Sequence, residues 1–200
     1  MKYAASGSAA KSIARPVNAV VIGASAGGLA ALSALVVGLP CDLRQALLMV
    51  QHVPASGPTQ LAEIFQRKTA LRVKEADDKE SVCSGTLYFA AAGYHLLVEA
   101  DLTLSLSQDD AVHFARPSID VLFESAADAW GEGVVGILLT GANEDGAAGL
   151  EAIKRAGGIT IVQDPEEAEV AIMPLAAIQR FAPDYILPLR DIHRLLRELE

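Results

Sequence analysis

Val20-Val21-Ile22-Gly23-Ala24-Ser25-Ala26-Gly27-Gly28 is the stretch on which the reading of this chain turns. A run of β-branched apolar residues stops at Gly23, and three glycines surround one serine. Apolar residues then recur at helical spacing at Leu29, Leu32, Leu35, Val36 and Leu39. Run, turn and periodic segment spell a buried strand, a tight turn and a helix. Gly23-x-Ser25-x-Gly27 is the nucleophile-elbow pattern, in which glycines let a serine sit on a sharp turn with its hydroxyl exposed. The helix that follows points its unpaired N–H groups and positive dipole end at that hydroxyl. Glycine-rich strand-to-helix turns also hold phosphates, and some only pack. Nucleophile, nucleotide site and packing turn are therefore the three readings the rest of the chain must separate.

Composition removes several classes. The chain has 200 residues, 52% of them hydrophobic, which suits one folded domain rather than a disordered segment. Acidic residues outnumber basic ones 25 to 16, for a net charge of −9, and no Lys/Arg cluster is present. Nucleic acid and anionic membrane surfaces are thus poor partners. Cys41 and Cys83 have no metal-ligand spacing, and no His-x-x-x-His pair occurs, so neither a metal nor another cofactor is expected. Two such cysteines suit a reducing, cytoplasmic compartment. No segment has the length or apolarity of a membrane span. Residues 1–16, rich in Ala and Ser with Lys2, Lys11 and Arg15, are expected to be a flexible tail rather than a signal peptide, with the domain running over 17–200.

Further along, Gly38 and Pro40 stop the first helix. Residues 46–50 form the next strand, ending in Gln51-His52-Val53-Pro54. Pro58 and Thr59 open a short helix with Leu61, Ile64 and Phe65 on one face and Arg67 and Lys68 in its last turn. Residues 71–76 read as an edge strand. Residues 86–90, 95–99 and 102–106 are three strand-like pieces so close together that an antiparallel meander at the sheet edge is expected. Arg116-Pro117-Ser118 opens a helix over 119–130 with Val121, Leu122, Ser125, Ala126 and Ala129 inward. Residues 134–139 are a buried strand leading into Thr140-Gly141-Ala142-Asn143-Glu144-Asp145-Gly146 and a helix to Ala156. A strand over 159–162, a helix begun by Pro174, a strand over 185–187 and a terminal helix capped by Asp191 complete the chain. The alternation predicts an α/β fold: a doubly wound, mostly parallel sheet with helices on both faces and a small antiparallel meander at one edge.

In such sheets functional groups sit on loops leaving the carboxyl ends of strands, where strand order reverses. That rule selects Ser25 after the first strand, His52 after the second, and Asn143, Glu144 and Asp145 after the 134–139 strand. An imidazole can take the serine proton near neutral pH. A carboxylate must then hold the ring in one tautomer; Asp145, beside Gly146 at a helix start, is preferred over Glu144. The N–H of Ala26, directly after the nucleophile, is the expected oxyanion donor. The chain order Ser–His–Asp differs from that of α/β-hydrolases.

Four ordered blocks carry a resemblance: VIGASAGG at residues 21–28, QHVP at 51–54, RPSIDVLF at 116–123 and LLTGANEDGAAGL at 138–150. Together they resemble the catalytic domain of the bacterial chemotaxis methylesterases of the CheB type, over roughly Val17 to the C-terminus. The resemblance implies that Ser25, His52 and Asp145 are the catalytic residues, with Ala26, Gly27 and Ala142 around the oxyanion and site loop. It implies hydrolysis of glutamyl methyl esters on the helices of methyl-accepting chemotaxis receptors or similar helical proteins, and deamidation of receptor glutamines by the same acyl-enzyme route. Ala26 stands where the family usually has Thr, and Ala142 where it commonly has Met, though the backbone N–H survives. The phospho-receiver domain usual in the family has no counterpart in these 200 residues, so the resemblance implies either activity without phosphorylation control or a receiver or regulatory domain supplied separately or by a longer chain.

Arg116 is a candidate substrate-binding cation, and His113 could line the cleft with it. His95, His113 and His193 read as surface or structural residues, and residues 77–80 as a solvated loop. The nucleotide alternative lacks a Tyr with Lys four residues on, and Gln51-His52 stands where a ribose-binding carboxylate would close the second strand. A non-catalytic binding module remains as the other alternative; it requires that Ser25→Ala leave function unchanged.

Overall fold

A computed structural model describes residue 13 and residues 15–53 and 60–199. The elements run β1 (Ala19–Ala24), α1 (Gly28–Val36), β2 (Ala46–Gln51), α2 (Leu61–Gln66), β3 (Arg72–Glu75), β4 (Thr86–Phe89), β5 (His95–Val98), β6 (Leu104–Ser107) and α3 (Ile119–Trp130). A short 3-10 turn then leads to β7 (Val134–Leu138), α4 (Ala147–Arg155), β8 (Ile159–Gln163), α5 (Ile172–Arg180), β9 (Tyr185–Leu187) and α6 (Leu189–Arg197). Among the described residues one sheet of seven strands, ordered β3-β4-β2-β1-β7-β8-β9, is parallel throughout. A separate antiparallel pair, β5-β6, stands apart from it.

The central strands are buried on both faces, which is why they read as unbroken apolar runs. Successive β1 residues serve opposite layers. Val20 and Ile22 join Leu32, Leu35, Ile192 and Leu195 under α1 and α6, whereas Ala19 and Val21 join Leu122, Phe123, Leu150 and Ile153 under α3 and α4. Each such Leu, Ile or Val fully removed from water contributes about 1.5–3 kcal/mol. Ile13 is also buried in the first of these layers. The rest of the expected tail, residues 1–12 and 14, lies outside the described residues apart from Arg15 and Pro16.

Several expectations need correction. The three-stranded meander does not form: β4 joins the main sheet, parallel to both β2 and β3, and only β5 and β6 pair antiparallel. The reason is burial. All four residues of β4 are enclosed, as a central parallel strand requires, whereas Leu104-Ser105-Leu106-Ser107 alternates and buries only Leu104 fully. The expected edge strand is β3, at the end of the sheet. Pro58 and Thr59, expected to open α2, lie outside the described residues. In α2 Leu61 and Phe65 are buried but Ile64 is exposed, and Arg67 is the C-cap residue with Lys68 beyond it. Leu29 is half exposed at the start of α1. The inward face of α3 is Ile119, Leu122, Phe123, Ala126 and Ala127, with Val121 and Ala129 only half-buried. Pro174 is the third residue of α5, and Asp191 sits in the first turn of α6 after Pro188 rather than capping it.

Candidate active site

Strands β2, β1 and β7 are neighbours, so the loops leaving their carboxyl ends are forced together. Backbone bonds stitch the loops directly: Ser25 N–H donates to Thr140 O at 3.0 Å, and His52 N–H donates to Ala24 O at 3.0 Å. Ser25 follows β1 in a turn closed by Gly28 N–H on Ser25 O at 2.8 Å. Gly27, the N-cap of α1, takes a left-handed φ of 76°, a conformation that L side chains resist. Gly23 serves a different need. A Cβ there would collide with Ile119, and one at Gly146 would lie 2.6 Å from Ile119 Cγ2. Both glycines make room for the first turn of α3 to enter between β1 and the 140–146 loop.

That first turn holds the acid. Asp145 is fully buried, and its carboxylate accepts from Ile119 N–H at 2.7 Å, Asp120 N–H at 3.0 Å and Ser118 Oγ at 2.8 Å. The carboxylate thus sits on the N-terminus of α3, where free N–H groups and the helix dipole favour an anion. Its remaining contact is His52 Nε2 at 2.7 Å. Burial alone would push the Asp145 carboxyl up, but the bonds from His52, Ile119, Asp120 and Ser118 outweigh it and hold it below the usual carboxylate range. An ionised acceptor fixes Nε2 as the protonated nitrogen of a neutral His52. Nδ1 then carries the lone pair, and it has no hydrogen-bond partner among the described residues.

Ser25 and His52 line one cavity of about 590 Å³ with Val53, Ala142, Asn143 and the 113–117 segment. The Ser25 hydroxyl makes no hydrogen bond among the described residues, so the expected direct bond to His52 is not formed. Such bonds are often long before substrate binds. The N–H groups of Ala26, Gly27 and Ala142 donate to nothing among the described residues. They supply unspent donors next to the serine, at the N-terminus of α1 and in the site loop.

The sequence reading missed three supports. Gln51 Nε2 donates to Ser25 O and His52 O, both at 2.9 Å, tying the two loops from between. Thr140 Oγ1 donates to Ala26 O at 2.8 Å and accepts from Val170 N–H at 2.9 Å. Ser118 orients Asp145. Each lies inside a block already noted, but side-chain-to-loop bonds leave no periodicity to read. Glu144, the rejected alternative to Asp145, is exposed and faces His113 at 3.6 Å. Arg116 does line the cavity, yet its Nη1 donates to the carbonyls of Gln108 at 2.8 Å and Asp109 at 2.9 Å, so part of its role is to hold its own loop. His95 is buried and structural, with Ser118 N–H donating to its Nδ1 at 3.1 Å. His193 Nδ1 meets Leu35 O at 2.9 Å. Residues 77–80 are only partly a solvated loop, since Glu80 pairs with Lys74 at 2.8 Å. No cluster of three or more potential metal ligands occurs among the described residues, and no described helix is long and apolar enough to cross a membrane.

Residues 20–196 match the family described as CheB methylesterase. The chain belongs to the CheB methylesterase family. A relative from Leptospira interrogans, provisionally named protein-glutamate methylesterase/protein-glutamine glutaminase, is 43% identical over 92% of this chain and 95% of its own length. One from Symbiobacterium thermophilum, named protein-glutamate methylesterase/protein-glutamine glutaminase, is 38% identical over 88% of this chain but only 49% of its own length. The chain therefore spans nearly all of one curated relative and about half of the other. The crystal structure of the Thermotoga maritima CheB methylesterase catalytic domain superposes with a TM-score of 0.88 at 32% identity, covering 93% of this chain and all of that one. The parallel sheet and the small antiparallel pair are those of the CheB catalytic domain, and the nucleotide-binding and non-catalytic alternatives are not favoured.

Proposed function

We propose that this chain is a protein-glutamate methylesterase that removes methyl groups from glutamyl esters of chemoreceptors, with Ser25, His52 and Asp145 as its catalytic residues. The observation that carries the assignment is the His52–Asp145 bond at 2.7 Å within the same cavity that exposes an unbonded Ser25 hydroxyl. Ser25 Oγ attacks the ester carbonyl while its proton passes to the free Nδ1 of His52. The resulting imidazolium is stabilised by the Asp145 carboxylate. Negative charge on the carbonyl oxygen is met by the N–H groups of Ala26 and Gly27 at the α1 N-terminus, with Ala142 N–H across the cavity. Collapse of the tetrahedral species breaks the C–O bond to the methoxy group, which leaves as methanol with the His52 proton. Water then attacks the acyl-serine, His52 takes its proton, and glutamate and free serine are restored.

The same route releases ammonia from a glutamine, and the double name of the relatives favours this as a second activity. The partners are methyl-accepting receptors and, for regulation, a receiver domain supplied from outside residues 17–200. A cytoplasmic location fits that substrate. The test is methanol release from a methyl-esterified cytoplasmic fragment of a chemoreceptor. Ser25→Ala should lower kcat by about 10⁴-fold or more; retention of a tenth of wild-type turnover would refute the assignment.

A further inference from the structure

We propose that the tight turn between Val112 and Ala115 presents Phe114 as a docking contact for the apolar face of the substrate helix, making the enzyme select protein esters over small ones. This rests on the reading of Ser25 as an esterase nucleophile. Val112 N–H donates to Ala115 O at 3.1 Å and Ala115 N–H donates to Val112 O at 2.8 Å, which leaves His113 and Phe114 as a two-residue loop. Their φ values are 49° and 62°, so both lie in the left-handed region. Two-residue turns of this kind are normally made with Asn and Gly. A non-glycine residue in that region is strained, and a bulky Phe is an outlier there.

Strain of this kind persists only when its surroundings hold it. Arg116 braces the loop from behind through the carbonyls of Gln108 and Asp109. His113 lies 3.5 Å from the Asp120 carboxylate and 3.6 Å from that of Glu144, which anchors the turn to α3 and to the site loop. All this positions a ring that buries nothing: Phe114 is 104% exposed. The fold gains no packing from it. Yet Phe114 lines the cavity that contains Ser25 and His52, and Leu29, 50% exposed, lines a second cavity of about 350 Å³ that Ser25 also borders. The nucleophile therefore borders two cavities, each lined by an exposed apolar side chain. A glutamyl ester on an amphipathic helix brings apolar residues one turn away on either side, and such anchors are the usual grip on a docked helix. A small ester would reach Ser25 without touching Phe114.

Steady-state kinetics on two substrates test this: the methyl-esterified chemoreceptor fragment and p-nitrophenyl acetate. Phe114→Ala should raise KM for the fragment about tenfold or more, with kcat nearly unchanged, while p-nitrophenyl acetate turnover and Tm stay at wild-type values. Phe114→Leu should restore most of the KM. Phe114→Gly should raise Tm by relieving the turn and still raise KM, which a purely structural role would not give. An unchanged KM for the fragment in Phe114→Ala, with turnover still dependent on Ser25, overturns this proposal alone. Turnover that survives Ser25→Ala overturns the esterase reading and this proposal with it.

Discussion

Replacing Asp145 with Asn probes the acid at its two jobs at once. The carboxylate accepts four hydrogen bonds, Oδ2 from His52 Nε2 and Ile119 N–H, Oδ1 from Ser118 Oγ and Asp120 N–H. An amide has one accepting oxygen, so either orientation sets an NH2 group against a backbone N–H at the start of α3. Each stranded buried donor costs about 1–3 kcal/mol. The lost negative charge at a helix N-terminus adds about 0.3–2 kcal/mol. For one stranded donor the sum is roughly 1–5 kcal/mol, which in a domain of this size lowers Tm by about 3–20 °C. Turnover should fall by about 10⁴-fold, because His52 loses the acceptor that fixes its tautomer. The pH dependence carries a sign. Asp145 is held below the usual carboxylate range, so its stabilising contribution is complete above the unfolded-state value of about 4 and is lost as pH falls through the lower folded-state value. Thermal unfolding followed by circular dichroism between pH 3 and 8, with methanol release measured in parallel, reads both effects. The Tm gap between wild type and Asp145→Asn should be widest near neutrality and narrow below about pH 4. Equal Tm values at pH 7, or a variant within tenfold of wild-type kcat, would refute the reasoning.

Asp120 carries the opposite sign. Burial, opposed by Gly149 N–H and reinforced by the nearby Asp145 charge, raises its carboxyl to about 6. Its stability contribution is therefore complete below the unfolded value of about 4 and lost as pH rises through about 6. Asp120→Asn, which can keep the Gly149 bond through its oxygen, should gain Tm relative to wild type between pH 4 and 7; a constant difference across that range would contradict this. Gly23→Ala should lower stability by about 1–3 kcal/mol and impair turnover, because the added methyl displaces Ile119 and with it the α3 N–H groups on Asp145. In an Ile119→Ala background, which removes the γ and δ carbons the methyl would meet, Gly23→Ala should cost less than it does alone, and an equal cost in both backgrounds would show that the collision is not the cause.

The elbow at 23–28, the histidine ending β2 and the acid before Gly146 were legible because each marks a change in local chemistry: an apolar run that stops, a turn rich in glycine, a polar residue at a strand end. Strand and helix identities were legible for the same reason. Side-chain supports were not. Gln51, Thr140 and Ser118 act by bonding to loops far away in sequence, and nothing local distinguishes them from solvated polar residues. Residues 86–90 join the main parallel sheet, against the antiparallel pairing that proximity along the chain suggests. Thr86-Leu87-Tyr88-Phe89 is an unbroken buried run, whereas the later Leu-Ser-Leu-Ser alternates, and that contrast was the better guide to which piece joined the parallel sheet.

By itself, then, the order of apolar runs, glycines and polar strand ends determined a wound α/β sheet and named the three side chains to watch, since periodicity and turn chemistry are local properties of a chain. Only the tertiary structure decided that Asp145 is seated on the first turn of α3, that His52 offers Nδ1 rather than Nε2 to the cavity, and that Phe114 stands bare beside Ser25. These are consequences of strands β2, β1 and β7 lying side by side, which brings His52 and Asp145, 93 residues apart in sequence, into one hydrogen bond that no local pattern encodes.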